Sequence, residues 1–287
     1  MSVAYQGVAG AFSEAAAAAL FPETHLVACR TFAEVFDALE ASRVDAAVVP
    51  VENTHAGAVV DVYDLLREHR DAVVVAEAIV RVRHSLLAIH GASLDGIRVA
   101  RSHPQALAQS DEFLKKHRIQ PEGAYDTAGA AMEVAQRNDP TVAAIASARA
   151  AEKYDLVVLA KGIETSADNY TRFFALARRG DGATARRVAA EHLAGPKKTS
   201  IVYTTKNLPG ALTRSLQPFA TAGLQLTKIE SRPSRAAAWD YVFYLDFEGD
   251  PAVSPGTEAL ALMRTCCEWI EILGTYPAAT SILTPDG

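Results

Sequence analysis

Asp168-Asn169-Tyr170-Thr171-Arg172-Phe173 places a carboxylate, an amide, a hydroxyl and a guanidinium directly before the apolar run Phe174-Ala175-Leu176-Ala177. An apolar run of this length reads as a buried strand. Polar groups carried on a core element are held in fixed directions, as a catalytic site requires. Taken alone, the same residues would fit a polar loop leading into a strand, with Arg172 on the surface. The chain on either side decides between the two.

Upstream, strand, polar turn and helix alternate. Val3-Ala4-Tyr5 leads into Gly7-Val8-Ala9-Gly10-Ala11-Phe12-Ser13-Glu14 and an alanine-rich helix. The glycines let the backbone approach a ligand, and the first amides of a helix suit an anion. Two glycines are too few for a dinucleotide fingerprint. Thr31 and Glu34 form a capping box for a second helix. Ala46 to Val51 is a short apolar strand that delivers Glu52-Asn53-Thr54-His55. Strands at Val73–Val80 and Leu86–Ile89 follow. Ile97 to Ala100 then runs into Ser102-His103-Pro104-Gln105, where Ser102 and Gln105 have capping-box spacing. Gln109 lies about two helical turns beyond Ser102, on the same side. Asp126-Thr127 caps a helix to Arg137, and Ser147 caps another after the strand Val142–Ala146. The alternation predicts an α/β layered domain with largely parallel strands and a ligand site outside their carboxyl ends. N-capping alone accounts for Thr31 and Ser147.

Downstream, Arg178 to Lys198 is charged, contains Gly180, Gly182, Gly195 and Pro196, and reads as a linker. Beyond it come a strand at Thr199–Thr205, a helix from Leu208 to Gly223, strands at Leu224–Ile229 and Tyr241–Phe247, a helix at Thr257–Ile272 and a short strand at Thr280–Leu283. The order βαββαβ is the ferredoxin-like plan.

The 287 residues suffice for two domains. A net charge of −6, with no Lys/Arg run longer than two, argues against a nucleic-acid partner. Cys29, Cys266 and Cys267 have neither zinc-site spacing nor the makings of a disulfide framework, and the eight histidines are scattered. No apolar run reaches the ~18–20 residues needed to span a bilayer, so no membrane partner is expected. Without a leader-like N-terminus and with reduced cysteines, the expected location is cytoplasmic.

At this point the motifs converge. The chain resembles the prephenate dehydratase family over nearly its whole length. The carriers are Gly7 to Ser13, Pro50-Val51-Glu52-Asn53-Thr54, Ser102-His103-Pro104-Gln105 with Gln109, and Asn169-Tyr170-Thr171-Arg172-Phe173. The last region is similar to the ACT regulatory module of those enzymes. Its Gly210-Ala211-Leu212 and Glu230-Ser231-Arg232-Pro233 match the two segments that bind phenylalanine between subunits. The resemblance implies decarboxylating dehydration of prephenate to phenylpyruvate, without cofactor or metal. It further implies feedback by L-phenylalanine and a homodimer or homotetramer. The implied architecture is a catalytic domain at 1–180, made of two α/β lobes resembling a type II periplasmic binding protein. A linker at 181–197 and a ferredoxin-like ACT domain at 198–287 complete it. Some relatives carry a chorismate mutase domain in front; here the dehydratase motifs begin at the first strand, and no mutase activity is expected.

Prephenate is a dianion that must lose its ring hydroxyl and ring carboxylate together. Thr171 matches the family's catalytic threonine, and a hydroxyl of ordinary pKa serves best as an oriented donor to the leaving oxygen. Asn53, Ser102, Gln109 and Thr127 are expected to position the substrate through neutral hydrogen bonds. Arg172 is expected to fork onto a substrate carboxylate, unless an internal pair with Asp168 or Glu52 occupies it. Glu52 and His103 are alternative proton donors. Phe173 would anchor the strand, and Thr54 and Ser13 complete the expected substrate contacts. Asp168 has no assigned role. Two rival readings are arogenate dehydratase, acting on the amino-acid analogue, and a small-anion sensor without chemistry.

Overall fold

The structure is a computed structural model that describes residues 1–234 and 240–284. The first lobe comprises β1 (Ser2–Gln6), α1 (Phe12–Leu20), β2 (His25–Cys29), α2 (Phe32–Glu40), β3 (Ala46–Asn53), β4 (Gly57–Ala58), α3 (Val60–Glu68) and β5 (Ala72–Arg81). The chain then crosses into a second lobe. This holds β6 (Ser85–Ala88), β7 (Val99–Ser102), α4 (Pro104–Gln109), α5 (Asp111–His117), β8 (Gln120–Gly123), α6 (Thr127–Arg137), β9 (Val142–Ala146), α7 (Ala148–Tyr154) and β10 (Val157–Lys161). It returns as β11 (Tyr170–Arg178), passes α8 (Gly182–Ala185), and builds a third layer. There lie β12 (Lys197–Thr205), α9 (Ala211–Thr221), β13 (Leu226–Pro233), β14 (Tyr241–Glu248), α10 (Gly256–Cys266) and β15 (Cys267–Pro277), with β16 (Ile282–Leu283) last.

Local signals place many of these elements. Thr31 Oγ1 accepts from the Glu34 amide while Glu34 reaches back to the Arg30 amide, starting α2 with Val35, Phe36 and Leu39 buried. Asp126 caps α6 by accepting from the Gly129 amide at 2.5 Å. Ser102 does not cap α4. It ends β7, and His103 takes the cap, its Nδ1 accepting from the Gln105 amide.

The first sheet runs β16-β5-β11-β3-β1-β2, with β4 on β3, and the second runs β10-β6-β9-β7-β8. Pairing is parallel among β1, β2 and β3 and among β7, β8 and β9. It is antiparallel where β11 meets β3 and β5 and where β6 meets β9 and β10. Apart from the two-residue β4, the expected parallel pairing is interrupted at one strand in each lobe, β11 in the first and β6 in the second, each the first strand after a lobe crossing and each running against both its neighbours. Two α/β lobes joined by two crossings are the architecture of type II periplasmic binding proteins.

The third sheet runs β13-β14-β12-β15, all antiparallel, with the βαββαβ order expected. Its composition differs from the expectation at the end. The helix stops at Cys266, and Trp269-Ile270-Glu271-Ile272, with its aromatic and β-branched residues, belongs to the fourth strand β15. The short strand foreseen near residue 280 leaves this sheet altogether and pairs in parallel with β5 of the first lobe. One face of the third sheet is covered by α9 and α10 around Phe219, Leu260 and Met263. Its other face packs Val202, Tyr244, Leu273 and Tyr276 against Phe174 and Leu176 of β11 in one continuous core. The contact is close enough that a Cβ on Gly274 would overlap the Val74 carbonyl oxygen.

Candidate functional site

A cleft of about 410 Å³ opens between the lobes where β11 begins. Alternation along β11 decides which side chains reach it, because successive residues of a strand point to opposite faces. Thr171 and Phe173 line the cleft, while Arg172 and Phe174 face the third sheet.

Thr171 is held by Asn53, the last residue of β3 and its partner in the ladder. Asn53 Nδ2 shares its two protons among Thr171 Oγ1 at 3.0 Å, Asn169 Oδ1 at 2.8 Å and the Tyr170 carbonyl at 3.0 Å. Its Oδ1 accepts from the His55 and Ala56 amides, which fixes the amide plane. The Thr171 hydroxyl thus uses a lone pair on Asn53, and its own proton is left for an acceptor in the cleft. The network continues through Asn169 Nδ2 to Gln109 Oε1 at 2.9 Å, and His84 Nε2 meets the same oxygen at 2.8 Å. An oxygen that receives the amide also requires a protonated His84 Nε2, which sets the imidazole tautomer.

The second lobe supplies His103, Gln105, Gln109, Tyr125 and Thr127 to the opposite wall, and Gln105 Nε2 reaches Asn53 Oδ1 at 3.4 Å. Among the described lining residues His84, His103, Tyr125 and Asp126 are ionisable, and none is a lysine or arginine. Among the described residues no group of His, Cys, Asp or Glu is arranged to hold a metal.

Of the expected site residues, Thr171, Asn53, Gln109, His103, Thr127 and Phe173 therefore share this cleft, and five others are placed elsewhere. Arg172 lies on the opposite face of β11, its guanidinium bonded to Glu77, Asp246 and Tyr276. Glu52 faces the same way and pairs with Lys228 at 3.1 Å. Ser102 is fully buried and donates to the Ile145 carbonyl at 2.6 Å, so it and Gln109 do not share a helix face. Ser13 is buried in the first turn of α1 and does not line the cleft. Thr54 accepts from the Tyr170 amide and donates to the Asp168 carbonyl, fastening the loop that leads into β11. Of the two partners foreseen for Arg172, Asp168 offers only its backbone to Thr54, while Glu52 does form an ion pair with Nη1, at 3.9 Å and so longer than those to Glu77 and Asp246.

The sequence reading left out His84, Gln105, Asn169 and Tyr125. Gln105 and Asn169 stood inside motifs already singled out. His84 had one signal, its place between the apolar strands β5 and β6, where the chain crosses between lobes.

In the third layer, Gly210 precedes α9 with φ of +76°, a conformation that favours glycine. Ala211 and Leu212 line a hollow of about 130 Å³ with Leu208, Tyr241 and Phe243. Glu230, Ser231, Arg232 and Pro233 lie on the edge strand β13, paired with residues 241–244 of β14. The two segments occupy the same end of the sheet, but β13 does not border the hollow.

Two lobes closing on a cleft furnished with an oriented hydroxyl, amides and imidazoles define a small-molecule site of the two-lobed α/β class. Residues 3–181 match the sequence model of the family described as prephenate dehydratase, and the chain belongs to that family. It is accordingly a lyase with prephenate or arogenate dehydratase activity. It is 41% identical over 290 residues to an Arabidopsis thaliana protein named "Arogenate dehydratase/prephenate dehydratase 2, chloroplastic", covering 98% of this chain and 74% of that one. Among solved structures, the prephenate dehydratase of Arthrobacter aurescens, determined in complex with L-Phe, has a TM-score of 0.86 at 29% identity. That match covers 97% of this chain and 90% of the other. A protein described as GqqA, a quorum quenching acylase, has a TM-score of 0.87 at 34% identity, covering 98% and 99%. The expectation of a plain cytoplasmic location is corrected by these comparisons, since several relatives matched over almost the whole chain are named as chloroplastic.

Proposed function

We propose that the chain converts prephenate to phenylpyruvate, with Thr171 as the oriented donor to the departing ring hydroxyl. The observation that carries this reading is the bond from Asn53 Nδ2 to Thr171 Oγ1. As the ring C–O bond breaks, the electron pair of the bond to the ring carboxylate moves into the ring. Carbon dioxide leaves, and the hydroxide takes up a proton to become water. A donor whose bond strengthens as charge grows on the leaving oxygen lowers the barrier without itself being a strong acid. The absence of lysine and arginine from the lining suits the same step. A guanidinium on the ring carboxylate would stabilise the ground state and lose that interaction as carbon dioxide forms. Gln105, Gln109 and Thr127 offer neutral hydrogen bonds instead.

Arogenate is the second reading, favoured by the names of the plant relatives. The elimination is the same, and the wall formed by Gln105, Gln109 and His103 would meet an ammonium in place of a ketone.

Residues 198–287 are read as an ACT domain that binds L-phenylalanine between two copies. Leu208, Leu212 and Tyr241 are exposed around the small hollow, and Glu230 to Pro233 lie on an edge strand at the same end. A second copy would bring one segment against the other. The Arthrobacter relative's complex with L-Phe supports phenylalanine as the ligand. The test is turnover of prephenate and arogenate separately, with and without L-phenylalanine, alongside the solution mass. Product from neither substrate would sink the enzymatic reading, and a monomer indifferent to phenylalanine would sink the regulatory one.

A further inference from the structure

Behind Thr171, two sheets meet through charge. Glu52 on β3, Arg172 on β11 and Glu77 on β5 stand on three neighbouring strands of the first sheet. Opposite them, Lys228 on β13, Asp246 on β14 and Lys198 on β12 stand on three neighbouring strands of the third sheet. One side carries a net single negative charge and the other a net single positive charge. Arg172 Nε is 2.6 Å from Glu77, its Nη1 is 2.5 Å from Asp246, and its Nη2 donates to the Tyr276 hydroxyl at 2.9 Å. Lys198 closes on the other Glu77 oxygen at 2.8 Å, which also accepts from the Ala279 amide at 2.9 Å. Ser200 holds both Asp246 and the Tyr276 hydroxyl, at 2.5 and 2.6 Å. Glu77, Asp246 and Tyr276 are all at most 3% exposed.

Every group in this cluster is satisfied, so the guanidinium has essentially one position. That position matters because the backbone ladder to β3 is interrupted beside it. The pairing of β11 with β3 slips by one residue after the pair Arg172–Glu52, where Val51 of β3 is passed over, while β11 stays in continuous register with β5 on its other side from Tyr170 to Ala175. At such a bulge the strand with the extra residue bends, here β3, two residues before the Asn53 that bonds Thr171. The direction of Thr171 then depends on what grips the next side chain as well as on the ladder.

We infer that Tyr276 and Asp246 are positioning residues for the reaction. The third sheet grips Arg172 from behind, and through Arg172 it fixes the direction of the Thr171 hydroxyl in the cleft. The layer assigned to regulation is by this account part of the catalytic fold. The inference rests on the donor role proposed for Thr171, and the experiment separates the two.

Tyr276→Phe removes only the hydroxyl and keeps the ring packed on Phe174, 5.5 Å away between centroids. Asp246→Asn is the harsher companion, because it leaves Arg172 facing one fewer carboxylate. Steady-state kinetics of the full chain are measured for Tyr276→Phe, Thr171→Ala and the double variant, with thermal unfolding as a check on folding. Misplacing a reacting group by about 1 Å costs up to ~10²-fold, so a partial loosening is expected to lower kcat about tenfold with KM within about twofold. The effect should vanish when Thr171 is already alanine, because the grip then has no hydroxyl to aim. A merely structural contact would lower turnover by the same factor in both backgrounds. That result, or unchanged kcat in a folded Tyr276→Phe enzyme, overturns the positioning role. Normal turnover in Thr171→Ala overturns the donor role on which it rests.

Discussion

Thr171 and Arg172 are consecutive residues of one strand and serve opposite faces of it, the hydroxyl turned into the interlobe cleft and the guanidinium into the contact with the third sheet. A motif that looks like one catalytic unit in the sequence is therefore two devices. One faces the substrate, and the other faces the layer behind.

The first consequence concerns Thr171. With Asn53 fixing its oxygen, loss of the hydroxyl should act on the transition state rather than on binding. Thr171→Ala is expected to lower kcat by ~10²–10³, like removal of one oxyanion donor, with KM little changed. Thr171→Ser keeps the hydroxyl but not the methyl group that limits its rotamers, and should fall between alanine and the parent. Steady-state kinetics on whichever substrate is turned over checks both. A rise in KM at constant kcat would make Thr171 a binding residue only.

Ser102 supplies a contrasting case. It belongs to the motif that carried the family resemblance, yet it is wholly buried and spends its proton on the Ile145 carbonyl. Ser102→Ala should leave kcat within about twofold of the parent and cost ~1–3 kcal/mol of stability, because a buried acceptor loses its partner. Urea titration and kinetics on the same protein separate the two effects. A loss of turnover at unchanged stability would return Ser102 to the reaction.

These cases define what was legible beforehand. The strand–turn–helix alternation, the caps at Thr31, Asp126 and Ser147, and the βαββαβ order could all be read, because each rests on local chemistry. The grouping of Asn53, Gln109 and Thr171 followed from the family motifs, and Thr127 from its place at a helix start after a strand. The period of two in β11 was also available, and it already forbade Thr171 and Arg172 from sharing one ligand. Beyond Glu52, the partners of Arg172 were not legible, since Glu77, Asp246 and Tyr276 lie 74 to 104 residues away along the chain and meet it only through the pairing of β11 with β5 and the packing of two sheets. The return of β16 to β5 was hidden for the same reason. Nothing local in Ile282-Leu283 names its partner strand.

The glycine turn after β1 yields a packing prediction. Gly10 has φ of +89°, and a Cβ there would lie 2.9 Å from the Ala150 Cα of the other lobe. Its carbonyl accepts from Ser147 Oγ, and the neighbouring Ala9 carbonyl accepts from Tyr154, both at 2.7 Å. The turn thus clasps the second lobe to the first. Gly10→Ala combines backbone strain with a clash and should destabilise by more than ~1 kcal/mol, seen as a fall in Tm. Tyr154→Phe loses one hydrogen bond and should cost about 1 kcal/mol. An alanine variant as stable as the parent would mean that this contact between the lobes is loose.

The buried cluster behind the cleft has a pH signature. Burial would push the Glu77 carboxyl up, but Arg172 and Lys198, with the Ala279 amide, outweigh it and hold the carboxyl below its usual range. An unfolded glutamate titrates near ~4.3, so the unfolded chain takes up this proton before the folded one does. The stability Glu77 contributes is complete above that value and is lost as pH falls through the lower folded value. Glu77→Gln should cost ~3–5 kcal/mol at pH 7, because Arg172 and Lys198 lose a buried counter-charge. The cost should shrink as the pH drops below about 4, where the parent loses the same charge. Denaturant titrations of both proteins at pH 7 and across the acid range measure this difference directly. A gap that stays constant with pH would mean that Glu77 is not held as a carboxylate, and the charge complementarity between the two sheets would lose its central member.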